Sequence, residues 1–207
     1  MSLSPHHDTN ASTLSGGFFD PVRQAQQAFH ALMNALARPG TVQPIEAVEA
    51  PAALPRLFGT IACTLLDPDT RLFLDPMLAG DPHVAEWMTF QTGTAIVGHE
   101  SEAMFGMISD SREVELAAFC AGDQAYPDRS ATLCLSVSSF SGGKALRCTG
   151  PGIETSHTIA PAGLPADFAE QWAANHVLFP RGVDLFLSCE GEGVIGLPRS
   201  IQIASET

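Results

Sequence analysis

The chain has 207 residues and a single lysine, Lys144. It follows Ser139-Phe140-Ser141-Gly142-Gly143, and Arg147 stands three residues further on. A hydroxyl, an amine, a guanidinium and the backbone N–H groups of a glycine turn are the donors that hold a phosphate or phosphonate oxygen. Arg147 is the best of them, because a strand position would fix its planar fork. Arg181 and Arg199 stand near other strand ends of the same half. The candidate anion-binding set is therefore Ser141, Gly142, Gly143, Lys144, Arg147, Arg181 and Arg199. The opposed reading is a tight turn carrying solvated or salt-bridged cations on an acidic protein. His157 and His176 could each act as a general base beside a bound anion. Neither has an orienting partner visible in the sequence, so no catalytic residue is assigned.

Stronger signatures are missing. A Walker A loop needs GxxxxGK[ST], but Ser138 and Ala145 occupy two of its defining positions. No GxGxxG precedes a helix, and no GxSxG, HExxH or EF-hand pattern occurs. The five cysteines (Cys63, Cys120, Cys134, Cys148 and Cys189) are odd in number and form no CxxC. They read as buried, reduced thiols, and no metal site is expected.

The candidate turn needs elements to hold it. Ala131 to Ile153 alternates, turns on glycine and alternates again. It reads as the hairpin-like centre of a sheet, with Leu133, Leu135 and Val137 on one face of the first strand. Leu146 and Cys148 oppose Ala145, Arg147 and Thr149 in the second. Thr155 to Ile159 reads as a third strand. Gly182 to Ser188 turns through Glu190-Gly191-Glu192-Gly193 into Val194 to Leu197, and Ser200 to Ile203 follows.

Asp20-Pro21 and Asp81-Pro82 each open a helix, with Asp as N-cap and Pro in the first turn. In the first helix Val22, Ala25, Phe29, Leu32, Met33 and Leu36 form one apolar stripe, with His30 at the core edge. Further helices are expected over Pro55–Leu66, Ser111–Cys120 and Asp167–Asn175. Strands are expected over Arg71–Leu74, Thr94–Val97 and Ala103–Ile108. Trp87 and Trp172 read as packing or interface residues. Helices dominate the first half and strands the second, which fits a sheet covered by helices with several antiparallel neighbours.

Net charge is −13, from 23 acidic and ten basic residues. That balance disfavours a nucleic-acid backbone or an anionic membrane as partner. No apolar run approaches the ~18 residues of a membrane span, and no signal peptide is seen, so a cytoplasmic location is expected. Residues 1–16 read as a flexible tail, and residues 17–207 as one domain.

The chain resembles the PhnH family, a subunit of the bacterial carbon–phosphorus lyase core complex. The resemblance rests on Phe19-Asp20-Pro21-Val22, Ala35-Leu36-Ala37-Arg38-Pro39-Gly40-Thr41-Val42 and Leu66-Asp67-Pro68-Asp69-Thr70. It continues through Ser139-Phe140-Ser141-Gly142-Gly143, Thr149-Gly150-Pro151-Gly152-Ile153, Phe179-Pro180-Arg181-Gly182-Val183-Asp184-Leu185 and Leu197-Pro198-Arg199. It implies a three-layer α/β/α sandwich with a mixed sheet, similar to a reduced pyridoxal-phosphate-dependent transferase, with no cofactor. It also implies an accessory role beside the G, I and J subunits, and a homodimer when isolated. Together these subunits transfer an alkylphosphonate to the ribose of a nucleoside triphosphate and release the base, the ribose 1-methylphosphonate 5-triphosphate synthase reaction. The alternative is an independent small-anion binding module or enzyme, with a site around Ser141–Arg147 or at a dimer interface.

Overall fold

The computed structural model describes residues 14–206. Most of the tail expected over residues 1–16 lies outside them. In chain order the elements begin with α1 (Pro21–Ala37), α2 (Arg56–Leu65), β1 (Arg71–Leu74), α3 (Pro76–Ala79), α4 (Pro82–Thr92), β2 (Ala95–Val97), β3 (Phe105–Ile108) and β4 (Thr132–Ser136). They continue with β5 (Leu146–Thr149), β6 (His157–Ile159), α5 (Phe168–Val177), β7 (Asp184–Cys189), β8 (Gly193–Leu197) and β9 (Gln202–Ser205). Among the described residues, no helix is long and apolar enough to cross a membrane.

Local chemistry sets the helix starts. The side chain of Asp20 accepts the Arg23 N–H, and that of Asp81 accepts the His83 N–H, each before a proline in the first turn. A third pair, Asp75-Pro76, starts α3 in the same way, through the Leu78 N–H. α1 ends before Arg38-Pro39-Gly40, as expected.

Six strands form a mixed sheet in the order β2-β1-β3-β4-β7-β8. All neighbours are parallel except β8, which returns antiparallel on β7. A parallel sheet is buried on both faces, and β4 shows it. Leu133 and Leu135 join one core cluster, and Cys134 joins the other. The Cys134 face is covered by helices: Leu32 and Ala35 of α1, Phe58 and Ile61 of α2, and Trp87 and Met88 of α4. The Leu133 face is covered differently. There α5 (Phe168, Trp172) shares the layer with a separate three-stranded sheet, β6-β5-β9, which supplies Leu146, Cys148, Ile159 and Ile203. The mixed α/β class and the mixed sheet hold. The third layer is part helix and part sheet.

Three expectations are corrected. Residues 131–153 are not a hairpin. Both edges of β4 are taken, by β3 and β7, so β5 leaves the large sheet and pairs with β6 and β9 instead. Ser111–Cys120 is not an α-helix but two 3₁₀ turns, Ser111–Glu113 and Leu116–Ala118. The side-chain amide of Gln171, on α5, donates to the Val114 carbonyl and accepts the Leu116 N–H at 3.1 and 2.9 Å, taking backbone groups a helix would use.

The third correction concerns α1. Its buried residues are Ala28, Leu32 and Ala35, while Val22, Phe29, Met33 and His30 are exposed. The helix is turned about a quarter turn from the face its apolar stripe suggests. Gly196 of β8 is the cause. A Cβ there would stand 2.5 Å from the Ala35 carbonyl carbon and 2.6 Å from its oxygen. The bare glycine lets the α1 backbone lie directly on β8, with its alanines inward.

Two predictions follow from this packing. Gly196→Ala is expected to cost about 1–3 kcal/mol of stability in urea unfolding. Gly98→Ala, at a glycine with nothing near its Cβ position, should stay within about 0.5 kcal/mol; equal effects would contradict the close approach. Burial pushes the Cys134 and Cys148 thiols up to about 12, and the Cys63 and Cys189 thiols up to about 11, from 9.0. Folding therefore favours the neutral thiol. Its contribution to stability is intact below pH 9 and should be lost as pH rises from 9 towards 12. Stability measured over that interval should fall, and less steeply in Cys134→Ala than in the parent. Native alkylation at pH 8 should leave Cys134 and Cys148 unmodified.

Candidate functional site

The glycine turn lies just past the carboxyl end of β4. Gly142 takes a φ of 83° with open space around it, the left-handed geometry that favours glycine. Gly143 is required for a different reason: a Cβ there would stand 1.9 Å from the Pro161 carbonyl oxygen. The turn is laced to residues 160–162. The Gly143 N–H donates to the Ala160 carbonyl at 2.9 Å, Ser138 N–H to Ala162 at 3.0 Å, and Ala162 N–H to Ser139 at 2.9 Å. The Ser141 N–H donates to Ser139 Oγ at 3.1 Å, and the two serine hydroxyls lie 3.1 Å apart. Two of the backbone donors that would cradle an anion thus already have partners. Ser141, Lys144 and Arg147 are exposed, and Arg147 is the outward residue between buried Leu146 and Cys148.

Arg181 and Arg199 lie elsewhere, at the amino end of β7. The length of β4, roughly 16 Å, separates that end from the glycine turn. Arg199 donates through Nε to both carboxylate oxygens of Asp184, each at 3.1 Å, and through Nη2 to Asp184 Oδ2. Its backbone N–H reaches Asp184 Oδ1 at 2.7 Å, and Nη1 donates to the Pro127 carbonyl at 2.8 Å. The guanidinium is mostly buried and binds three chain segments to one another. Arg181 is half-buried in the connection between α5 and β7. The two histidines also hold backbone. His157 Nε2 donates to the Gly40 carbonyl at 3.1 Å, and His176 Nδ1 to the Arg199 carbonyl at 3.0 Å, since a carbonyl can only accept.

Topology points to another place. β2 and β3 lie on opposite sides of β1, so strand order reverses at the β1–β3 boundary. In open α/β sheets ligands settle outside the carboxyl ends of strands at such a point. A cleft of about 380 Å³ lies there, with Phe73, Ile108 and Phe119 among its apolar lining residues. Its other lining residues include Asp75, Glu100, Asp110, Glu113 and Glu115. Asp75 is buried. One oxygen caps the Leu78 N–H at 2.9 Å; the other accepts from Ser109 N–H and Oγ, both at 2.7 Å. The Arg112 guanidinium and backbone N–H hold the Asp110 carboxyl down to about 2. Five carboxyl groups against the one Arg112 guanidinium make this rim unfavourable to a phosphonate or polyphosphate anion. Two sequence signals point at it: the Asp75-Pro76 pair, and the acidic residues Asp110, Glu113 and Glu115, the last two inside the expected Ser111–Cys120 helix.

Gly191, Gly193 and Gly196 have dinucleotide-loop spacing but sit in the β7–β8 hairpin, with no helix following. Among the described residues, no group of three or more His, Cys, Asp or Glu side chains is placed to hold a metal ion.

Known proteins agree on the kinship. The model of the family described as bacterial phosphonate metabolism protein (PhnH) matches residues 16–204. The chain is 40% identical over 194 residues to the alpha-D-ribose 1-methylphosphonate 5-triphosphate synthase subunit PhnH of Rhizobium meliloti (strain 1021), covering 93% of this chain and 96% of that protein. It is 31% identical over 181 residues to the putative C-P lyase subunit protein HtxG of Stutzerimonas stutzeri, covering 86% of this chain and 85% of that one. Three stretches that carry the resemblance fall on structural joints described above: the α1 stop, the glycine turn and the Arg199 brace. The chain belongs to the PhnH family of bacterial phosphonate metabolism proteins.

Proposed function

We propose that this protein is an accessory subunit of a carbon–phosphorus lyase complex, acting in the cytoplasm. It would support transfer of an alkylphosphonate to the ribose of a nucleoside triphosphate, beside the G, I and J subunits. The observation that carries this reading is the near end-to-end similarity to a relative named as a subunit of the corresponding synthase. The switch-point cleft supports it from the other side. Phosphonate and triphosphate are both anions, and the cleft is lined by five carboxylates. Reactant binding then falls to the partner subunits.

We extend the proposal to the architecture: residues 17–207 form one domain, a reduced form of the pyridoxal-phosphate-dependent transferase fold that pairs into a homodimer when isolated. A Schiff-base enzyme holds its lysine in a pocket with partners for the pyridine and the phosphate. Here the single lysine, Lys144, is exposed on a turn.

The test is co-expression of the tagged chain with the G, I and J subunits. All three are expected to remain with it through affinity and size-exclusion steps at moderate salt. Elution of the tagged chain alone under gentle conditions would sink the accessory reading.

A further inference from the structure

The rotation of α1 leaves an unusual surface. The helix buries its small residues, Ala28 and Ala35, and turns large ones to water: Val22 is 84% exposed, Phe29 51% and Met33 46%. Positions 22, 29 and 33 lie on one helix face and extend about 16 Å along it. Phe19, 99% exposed, stands just before the helix start. The approach to Gly196 fixes this rotation and leaves Phe29 and Met33 with apolar area that a partner would remove from water.

Charge around this stripe is also out of keeping with the chain. The protein has 23 acidic residues among 207, yet none occurs from Pro21 to Ile45. The ionisable side chains of α1 and its C-cap are Arg23, His30 and Arg38. An apolar stripe flanked by Arg23 and His30 and free of carboxylates along its own stretch, on a chain of net charge −13, is complementary to an apolar surface rimmed by carboxylates.

We infer that the outer face of α1 is where a partner subunit docks, and that the partner presents an apolar groove edged with Asp or Glu. The inference rests on the accessory-subunit reading above. It selects a different polypeptide over a second copy of this chain for an electrostatic reason. A two-fold pairing would set this stripe against an identical stripe, and the stretch from Pro21 to Ile45 has no carboxylate to meet Arg23. Phe29 and Met33, the large side chains of the stripe's C-terminal part, are the anchors.

The experiment compares tagged full-length variants co-expressed with the other three subunits, each checked for an unchanged melting temperature. Phe29→Glu with Met33→Glu is expected to reduce retained partner about tenfold or more. Arg23→Glu should reduce it several-fold. Val177→Glu, also at an exposed apolar residue but on α5 across the sheet, should match the parent. Full retention by the folded double variant would overturn the docking assignment and leave the accessory reading standing. A double variant that still holds its partners but changes from dimer to monomer by light scattering would also overturn it, assigning the stripe to a second copy. Failure of the parent itself to retain any subunit would overturn both.

Discussion

The close approach of α1 to β8 governs this structure. It is possible because position 196 has no side chain: any Cβ there would collide with the Ala35 peptide. Once the helix lies against Gly196, its rotation is fixed. Ala28, Leu32 and Ala35 face the sheet, and the stripe through Val22, Phe29 and Met33 faces water. The same contact sets the path of the chain beyond the helix. Gly40 N–H donates to the Gly196 carbonyl at 3.2 Å, and Gln43 then exchanges backbone hydrogen bonds with Val194. His157 closes the arrangement from the small sheet by holding the Gly40 carbonyl. One missing methyl group thus links a buried joint to the character of an exposed surface.

Local interactions were legible in the sequence and distant ones were not. Asp20-Pro21 and Asp81-Pro82 state helix starts in two adjacent residues, because the cap and the N–H that donates to it lie within one turn. Glu190-Gly191-Glu192-Gly193 states a hairpin for the same reason. The rotation of α1 depends on a glycine some 160 positions later in the chain, and periodicity alone chose the wrong face. The pairing of β4 is not legible locally because β3 is separated from it by a long irregular connection and β7 lies beyond β5 and β6. Val114 and Leu116 follow a non-helical path because Gln171, far along the chain, claims their backbone groups.

The candidate site shows the same division. The sequence displayed the residue types that bind anions, but not what else those residues hold. Arg199 is committed to Asp184 and to the Pro127 carbonyl, and the Gly143 N–H to Ala160. Ser141, Lys144 and Arg147 remain at the surface, where an ion is shared with water and screening salt. The cleft that topology favours has the wrong charge for phosphonate chemistry. Three of the stretches that carry the resemblance are structural joints: a helix stop, a turn laced to a neighbouring strand, and an arginine brace.

Equilibrium dialysis with radiolabelled methylphosphonate and ATP tests the central claim most directly, with the isolated chain and the assembled complex measured side by side. The complex is expected to take up ligand saturably, and the isolated chain to take up none above background at the same concentrations. Saturable uptake by the isolated chain, abolished in Arg147→Ala, would contradict the accessory role and establish an anion site of its own.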